Sequence, residues 1–138
     1  MAFKVACAQF APKKAEVEKN LDRIAEIVGQ AHLEGADLVL LPEASTSGYF
    51  LEGGVLESSL TSTQLLAALW KRLSPVLQGA VDIVLGFYEN SEGTLFNSAA
   101  YIEVTPNGPR LVGVYRKFFL PTYGVFDEER FVLSQTRM

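Results

Sequence analysis

With 138 residues, 49% of them hydrophobic and 20% charged, the chain can bury one domain core and is too apolar for a disordered segment. Twelve Lys and Arg against sixteen Asp and Glu give a formal net charge of -4, with no long run of either sign. That balance excludes a nucleic-acid binder, whose affinity rests on clustered cations displacing counterions. A single cysteine, Cys7, excludes an internal disulfide. The N-terminus lacks the basic, apolar and cleavage regions of a signal peptide, and the longest apolar runs fall short of a membrane span. The expected location is cytoplasmic.

In chain order, residues 3–10 alternate and are rich in apolar side chains, which predicts a strand. Val17, Leu21, Ile24, Val28 and Ala31 recur at spacings of three and four within residues 15–34, one face of a helix that Gly35 is placed to end. Asp37-Leu38-Val39-Leu40-Leu41 reads as a short strand buried on both faces and stopped by Pro42. Strand, helix and strand in this span make a βαβ unit with parallel pairing. Residues 44–62 are rich in Ser, Thr and Gly and read as a loop that carries function. A second helix is expected over residues 63–73, with Ser74-Pro75 as its break. Residues 81–88 form an apolar strand, and Asn90-Ser91-Glu92-Gly93 is turn chemistry from which residues 95–104 return antiparallel. Pro106-Asn107-Gly108 marks another hairpin into residues 111–117. The expected architecture is α/β, a mixed sheet with helices on one face.

Glu43 follows a buried strand and a proline, at the sheet edge where open α/β sheets bind ligands. Partial desolvation there would raise its pKa and suit it to act as a general base. The alternative is a solvated glutamate that starts a loop. Lys117 ends a strand before the aromatic stretch Phe118-Phe119-Leu120-Pro121, where an ammonium could face a developing oxyanion or simply face solvent. Cys7, flanked by Ala6 and Ala8, reads as core filling, and His32 as a solvated helix-end residue. No cluster has metal-ligand spacing, and Gly53-Gly54 lacks the Lys-Ser or Lys-Thr of a phosphate loop. No nucleophile is assigned.

Ala8-Gln9, then Leu40-Leu41-Pro42-Glu43, Gly48-Tyr49, Phe96-Asn97-Ser98-Ala99, Tyr115-Arg116-Lys117 and Leu120-Pro121 follow in an order that closely resembles the nitrilase, or carbon–nitrogen hydrolase, superfamily. Tyr123-Gly124-Val125-Phe126-Asp127-Glu128 continues the likeness. The resemblance implies the N-terminal part of an α-β-β-α sandwich and amidase-type chemistry by a Glu-Lys-Cys centre. Glu43 matches the general base and Lys117 the lysine supporting the tetrahedral intermediate. Tyr49, Tyr123 and Glu128 match positions that line the pocket or orient the substrate, although Glu128 also sits in an acidic turn that could simply be exposed. The resemblance further implies an amide or nitrile-like small-molecule substrate, homo-oligomerisation, and no metal or organic cofactor.

The likeness covers residues 1–132 and stops there, leaving residues 133–138 as a non-matching tail. Family members carry the cysteine well downstream of the lysine, whereas residues 118–138 contain none. A truncated, frame-shifted or naturally reduced parent would each account for this, and the chain alone is expected to be catalytically incomplete. Two other readings stand beside it: a non-catalytic assembly module, and a fragment of the glutaminase domain of a glutamine-dependent NAD synthetase. Residues 50–54, Phe-Leu-Glu-Gly-Gly, lack the proline and aspartate expected of that synthetase branch, which favours a stand-alone hydrolase.

Overall fold

The computed structural model describes residues 2–49 and 54–117. They form β1 (Val5–Cys7), α1 (Val17–Leu33), β2 (Leu38–Leu40), α2 (Val55–Ser58), α3 (Ser62–Leu73), β3 (Val81–Ser91), β4 (Thr94–Thr105) and β5 (Gly108–Arg116). The sheet runs in simple chain order, β1-β2-β3-β4-β5. The first three strands are parallel, and β4 and β5 add as antiparallel hairpins. Helices link only the parallel strands, because an antiparallel return needs only a tight turn.

α1 ends where expected, with Gly35 at φ 87° just beyond it. α3 is fixed by a feature its periodicity does not display. Thr61 accepts from the Gln64 amide while the Gln64 side chain accepts from the Thr61 N–H, a reciprocal cap at the first turn. The buried stripe Leu21, Ile24, Val28 of α1 meets Leu65, Leu69, Leu73 of α3 over Val39, Ile83, Leu85, Phe87, Ala100 and Ile102 of the sheet. Arg72 joins the two helices outside this core, through Asp22 at 2.8 Å and through Glu18. Both helices therefore cover the same sheet face, as the sequence predicts. The opposite face is open along the outer strands, where Val5, Cys7 and Tyr115 are exposed, and covered toward the end of β3, where Tyr88 is buried with Ala44 and Val55.

That openness corrects the reading of Cys7 as core filling. β1 is an outer strand, and its pleat turns Ala6 toward the helices and Cys7 away from them. β3 and β4 are also longer than their apolar runs suggest. Pairing continues through Glu89, Asn90 and Ser91 to the turn, where Glu92 (φ 52°) and Gly93 (φ 86°) adopt the left-handed pair that a two-residue hairpin requires.

β5 contains one irregularity that governs the site. Tyr101 pairs with Gly113 and Ile102 with Leu111, so Val112 is an extra residue in the ladder. Such a bulge inverts the in-out alternation on one side of it. Leu111 and Arg116 consequently share the helix-covered face, and Lys117 is delivered to the open one.

Candidate active site

The site begins where β2 ends. Leu41 continues the pairing to Val84, and the chain then crosses directly over β3 at Gly86. A β-carbon at Gly86 would lie 2.5 Å from Glu43 Cα and 2.6 Å from the Ala44 nitrogen, so only glycine allows this crossing. Gly86 N–H donates to Pro42 O, and its carbonyl accepts from the Ser45 amide and hydroxyl. Immediately after Glu43 the chain turns through Ala44 at φ 50°, a left-handed conformation that is costly for alanine.

The turn that follows is buried and bonded rather than loose. Ser45, Thr46 and Ser47 have no solvent exposure. Asn20 of α1 donates to Thr46 O and Lys13 O, and Ala15 N–H reaches Ser47 O. The backbone carrying Glu43 is thus tied on one side to the sheet and on the other to the first helix. Asn20 has no role legible in the sequence; its place on the buried side of α1, among Leu21 and Ile24, is the only hint.

Three donors converge on the Glu43 carboxylate. Lys117 Nζ lies 2.7 Å from Oε1, Asn97 Nδ2 lies 2.7 Å from the same oxygen, and the Tyr49 hydroxyl also hydrogen-bonds to the group. The Lys117 N–H in turn donates to Asn97 O at 2.8 Å, which sets the lysine beside the asparagine. Glu43, Asn97 and Lys117 line a cleft of about 310 Å³ together with Val84, Gly86 and Tyr115.

The environment corrects the expected pKa of Glu43. Partial burial pushes its carboxyl up, but the Lys117 hydrogen bond and charge, with hydrogen bonds from Tyr49 and Asn97, outweigh this and hold it below its ordinary value. Glu43 is therefore an ionised acceptor at neutral pH, ready to take a proton. The side chains of Glu43 and Lys117 remain 41% and 31% exposed, so the pair is open to a small molecule.

Of the residues singled out by sequence, the structure brings together Glu43, Lys117 and Tyr49. Tyr123 and Glu128 lie outside the described residues, as do residues 50–53. Asn97 stands within a quoted motif, but its contact with Glu43 is not readable from spacing. Cys7 is not part of the cluster: β1 lies two strands from β3, roughly 10 Å across the sheet. Among the described residues no group of His, Cys, Asp and Glu could hold a metal ion, and no helix is long and apolar enough to cross a membrane.

The chain matches the carbon–nitrogen hydrolase family over residues 4–137. It belongs to that family. The glutamine-dependent NAD(+) synthetase of Acinetobacter baylyi is 37% identical over 131 residues, which cover 94% of this chain and 23% of the synthetase. A nitrilase of Pyrococcus abyssi is 31% identical, over 85% of this chain and 44% of its own length. Among solved structures, the glutamine-dependent NAD+ synthetase of Acinetobacter baumannii superposes with a TM-score of 0.77 at 34% identity, covering 98% of this chain and 24% of that one. An amidase from Nesterenkonia sp. has a TM-score of 0.72 at 21% identity, over 98% of this chain and 49% of its own, a likeness of fold. The chain thus spans about a quarter of the synthetases' length and under half of the nitrilase's.

Proposed function

We propose that these residues form the glutamate–lysine half of an active site that hydrolyses a non-peptide C–N bond in an amide. What carries the reading is the convergence of Lys117, Asn97 and Tyr49 on an ionised Glu43 beside an open cleft, in a chain of the carbon–nitrogen hydrolase family. In this mechanism Glu43 removes the proton from a thiol, and the thiolate attacks the amide carbon. Lys117 counters the charge that develops on the amide oxygen. Collapse of the intermediate expels ammonia or an amine, carrying a proton returned by Glu43, and leaves a thioester. Glu43 then activates water to hydrolyse it. The lowered pKa keeps Glu43 ionised at neutral pH and able to accept the thiol proton, although as a weaker base than a carboxylate whose pKa burial had raised. The thiol comes from a segment outside these 138 residues, because Cys7 stands on the wrong strand.

A specific observation favours glutamine as the amide. The Acinetobacter baylyi synthetase matches at 37% identity, against 35% for a probable nitrilase of Schizosaccharomyces pombe and 31% for the Pyrococcus abyssi nitrilase, although the sequence around residues 50–54 argues for a stand-alone hydrolase. In the glutamine reading the product of value is ammonia, released from the side-chain amide.

The test is a chimera in which these 138 residues replace the matching stretch of the Acinetobacter baylyi synthetase. Glutamine-dependent turnover is expected, falling by about a hundredfold or more in Glu43→Gln or Lys117→Met. Turnover that survives both substitutions would remove these two residues from the chemistry. The 138-residue chain alone is expected to turn over neither glutamine nor simple amides or nitriles; turnover abolished by Cys7→Ala would overturn the need for a second segment. In the chimera, preference for an aliphatic amide or nitrile over glutamine would return the reading to a stand-alone type of hydrolase.

A further inference from the structure

Behind the site, on the helix-covered face of the sheet, a second carboxylate is buried. Glu89 belongs to the alternation Val81, Ile83, Leu85, Phe87 that packs under the helices, and it is only 5% exposed. Arg116 grips it with two nitrogens, Nε at 2.9 Å and Nη2 at 3.3 Å, and Ser98 Oγ donates to it at 2.8 Å. The Arg116 guanidinium also lies 4.0 Å above the centre of the Phe96 ring. Beside it the strand edge is closed by Leu60, whose N–H and C=O bond to Tyr88 and Asn90.

The partners of the two carboxylates are consecutive in sequence. Ser98 holds Glu89 while its neighbour Asn97 holds Glu43. Arg116 holds Glu89 while its neighbour Lys117 holds Glu43. Alternation along β4 and β5 sends each pair of neighbours to opposite faces, so the two glutamates clamp the same pair of strand segments from either side. Glu89 is buried while Arg116 stays 32% exposed, so the pair adds little stability as a charge pair, whereas its two-pronged contact fixes the geometry of both side chains. Fixed geometry is needed here, because Lys117 follows the last residue of a strand that, among the described residues, has ladder bonds on one side only.

We propose that Glu89 is a positioning residue for the Glu43–Lys117 pair, holding Arg116 and Ser98 so that Lys117 and Asn97 meet Glu43 on the opposite face. The catalytic importance of this rests on the function proposed above; the positioning itself does not.

The test is a carbon-13 NMR titration of the Glu43 side-chain carboxyl in the 138-residue chain, for the parent, Glu89→Gln and Arg116→Lys. The sign of the shift separates two effects. Removing a nearby negative charge, by itself, lowers the Glu43 midpoint. Loss of positioning withdraws Lys117 and Asn97 and raises it. An upward shift of about half a unit or more is expected for Glu89→Gln. Arg116→Lys keeps both charges but loses the two-pronged grip, and is expected to shift in the same direction. If Glu89→Gln fails to give a folded amide spectrum, Arg116→Lys carries the test. A Glu43 midpoint that is unchanged or lowered in the folded variant would overturn the proposal. Because the titration needs no turnover, its result stands apart from that of the chimera.

Discussion

Glu43 and Gly86 are in backbone contact: the site where a β-carbon of residue 86 would sit is 2.5 Å from Glu43 Cα. The carboxylate owes its position to an absent side chain in the middle of the sheet. Gly86→Ala must therefore displace the Pro42–Ala44 segment, at a cost of about 1–3 kcal/mol from overpacking. Gly113→Ala is the control, since nothing lies within 4 Å of its β-carbon site, and it should change stability by less than ~0.5 kcal/mol. Urea denaturation of the two variants checks this; equal effects would show that the crossing tolerates a methyl group.

The Glu43 carboxyl titrates below its ordinary value in the folded chain, so its contribution to stability has a definite sign. The contribution is fully present above the unfolded pKa and disappears as pH falls through the folded one. With both partners about a third exposed or more, the Lys117 pair is worth less than ~1 kcal/mol. Glu43→Gln should thus lower stability at neutral pH by less than ~1 kcal/mol, leave it little changed at about pH 3, and so flatten the acid limb of the stability curve. Denaturation midpoints at pH 7 and pH 3 for the parent and the variant give the comparison. An acid limb of unchanged slope would mean that Glu43 carries no depressed pKa.

Much of this arrangement was open to reading in the sequence, for physical reasons that differ by residue. Helix periodicity gave α1 and α3, turn chemistry gave both hairpins, and strand-end position pointed to Glu43 and Lys117. The pKa of Glu43 departs from its sequence-based expectation because an apolar strand end suggests burial, whereas the hydrogen bonds it accepts from Asn97 and Lys117 leave no sequence signal. Glu89 was hidden because it follows an apolar run and appears to end it; only the register reveals its pairing with Arg116. Gly86 did leave a signal, a glycine inside a strong strand, which marks close backbone approach. The bulge at Val112 left a weaker signal of the same kind, Gly113 inside the strand, but a glycine there does not say which residue is the extra one.

That bulge predicts the outcome of a deletion. Removing Val112 restores regular alternation, so Leu111 and Arg116 can no longer both face the helices. Either Leu111 leaves the core or Lys117 turns away from Glu43. The first outcome lowers stability, by less than the ~1.5–3 kcal/mol of a fully buried leucine because Leu111 is only partly buried. The second returns the Glu43 midpoint toward its ordinary value. A deletion variant with parent stability and an unmoved midpoint would show that the bulge has no part in directing Lys117.

Cys7 lies exposed on the open sheet face, in a three-residue outer strand. Its thiol should react with a chromogenic aromatic disulfide in the absence of denaturant, within about tenfold of the rate for the unfolded chain. Cys7→Ser should alter stability by less than ~0.5 kcal/mol, because no packed volume is lost. Labelling that requires denaturant would mean that the face is covered in solution.

Asn97 offers the most direct test of how the donors share the work on Glu43. It is almost fully buried, and its amide meets the same carboxylate oxygen as Lys117. Asn97→Asp replaces that donor with an acceptor that carries like charge, so one of the two carboxylates must bind a proton near neutral pH or the pair must separate. The paired groups should titrate with one apparent midpoint well above the parent Glu43 value, and stability should rise as pH is lowered toward it. Asn97→Ala removes the donor without adding charge; stability is then expected to fall by about 1–3 kcal/mol and the midpoint to rise only slightly, because Lys117 and Tyr49 still bind. The contrast between the two variants is the decisive observation. If Asp and Ala move the Glu43 midpoint equally, Asn97 does not face the carboxylate, and Lys117 alone sets its charge.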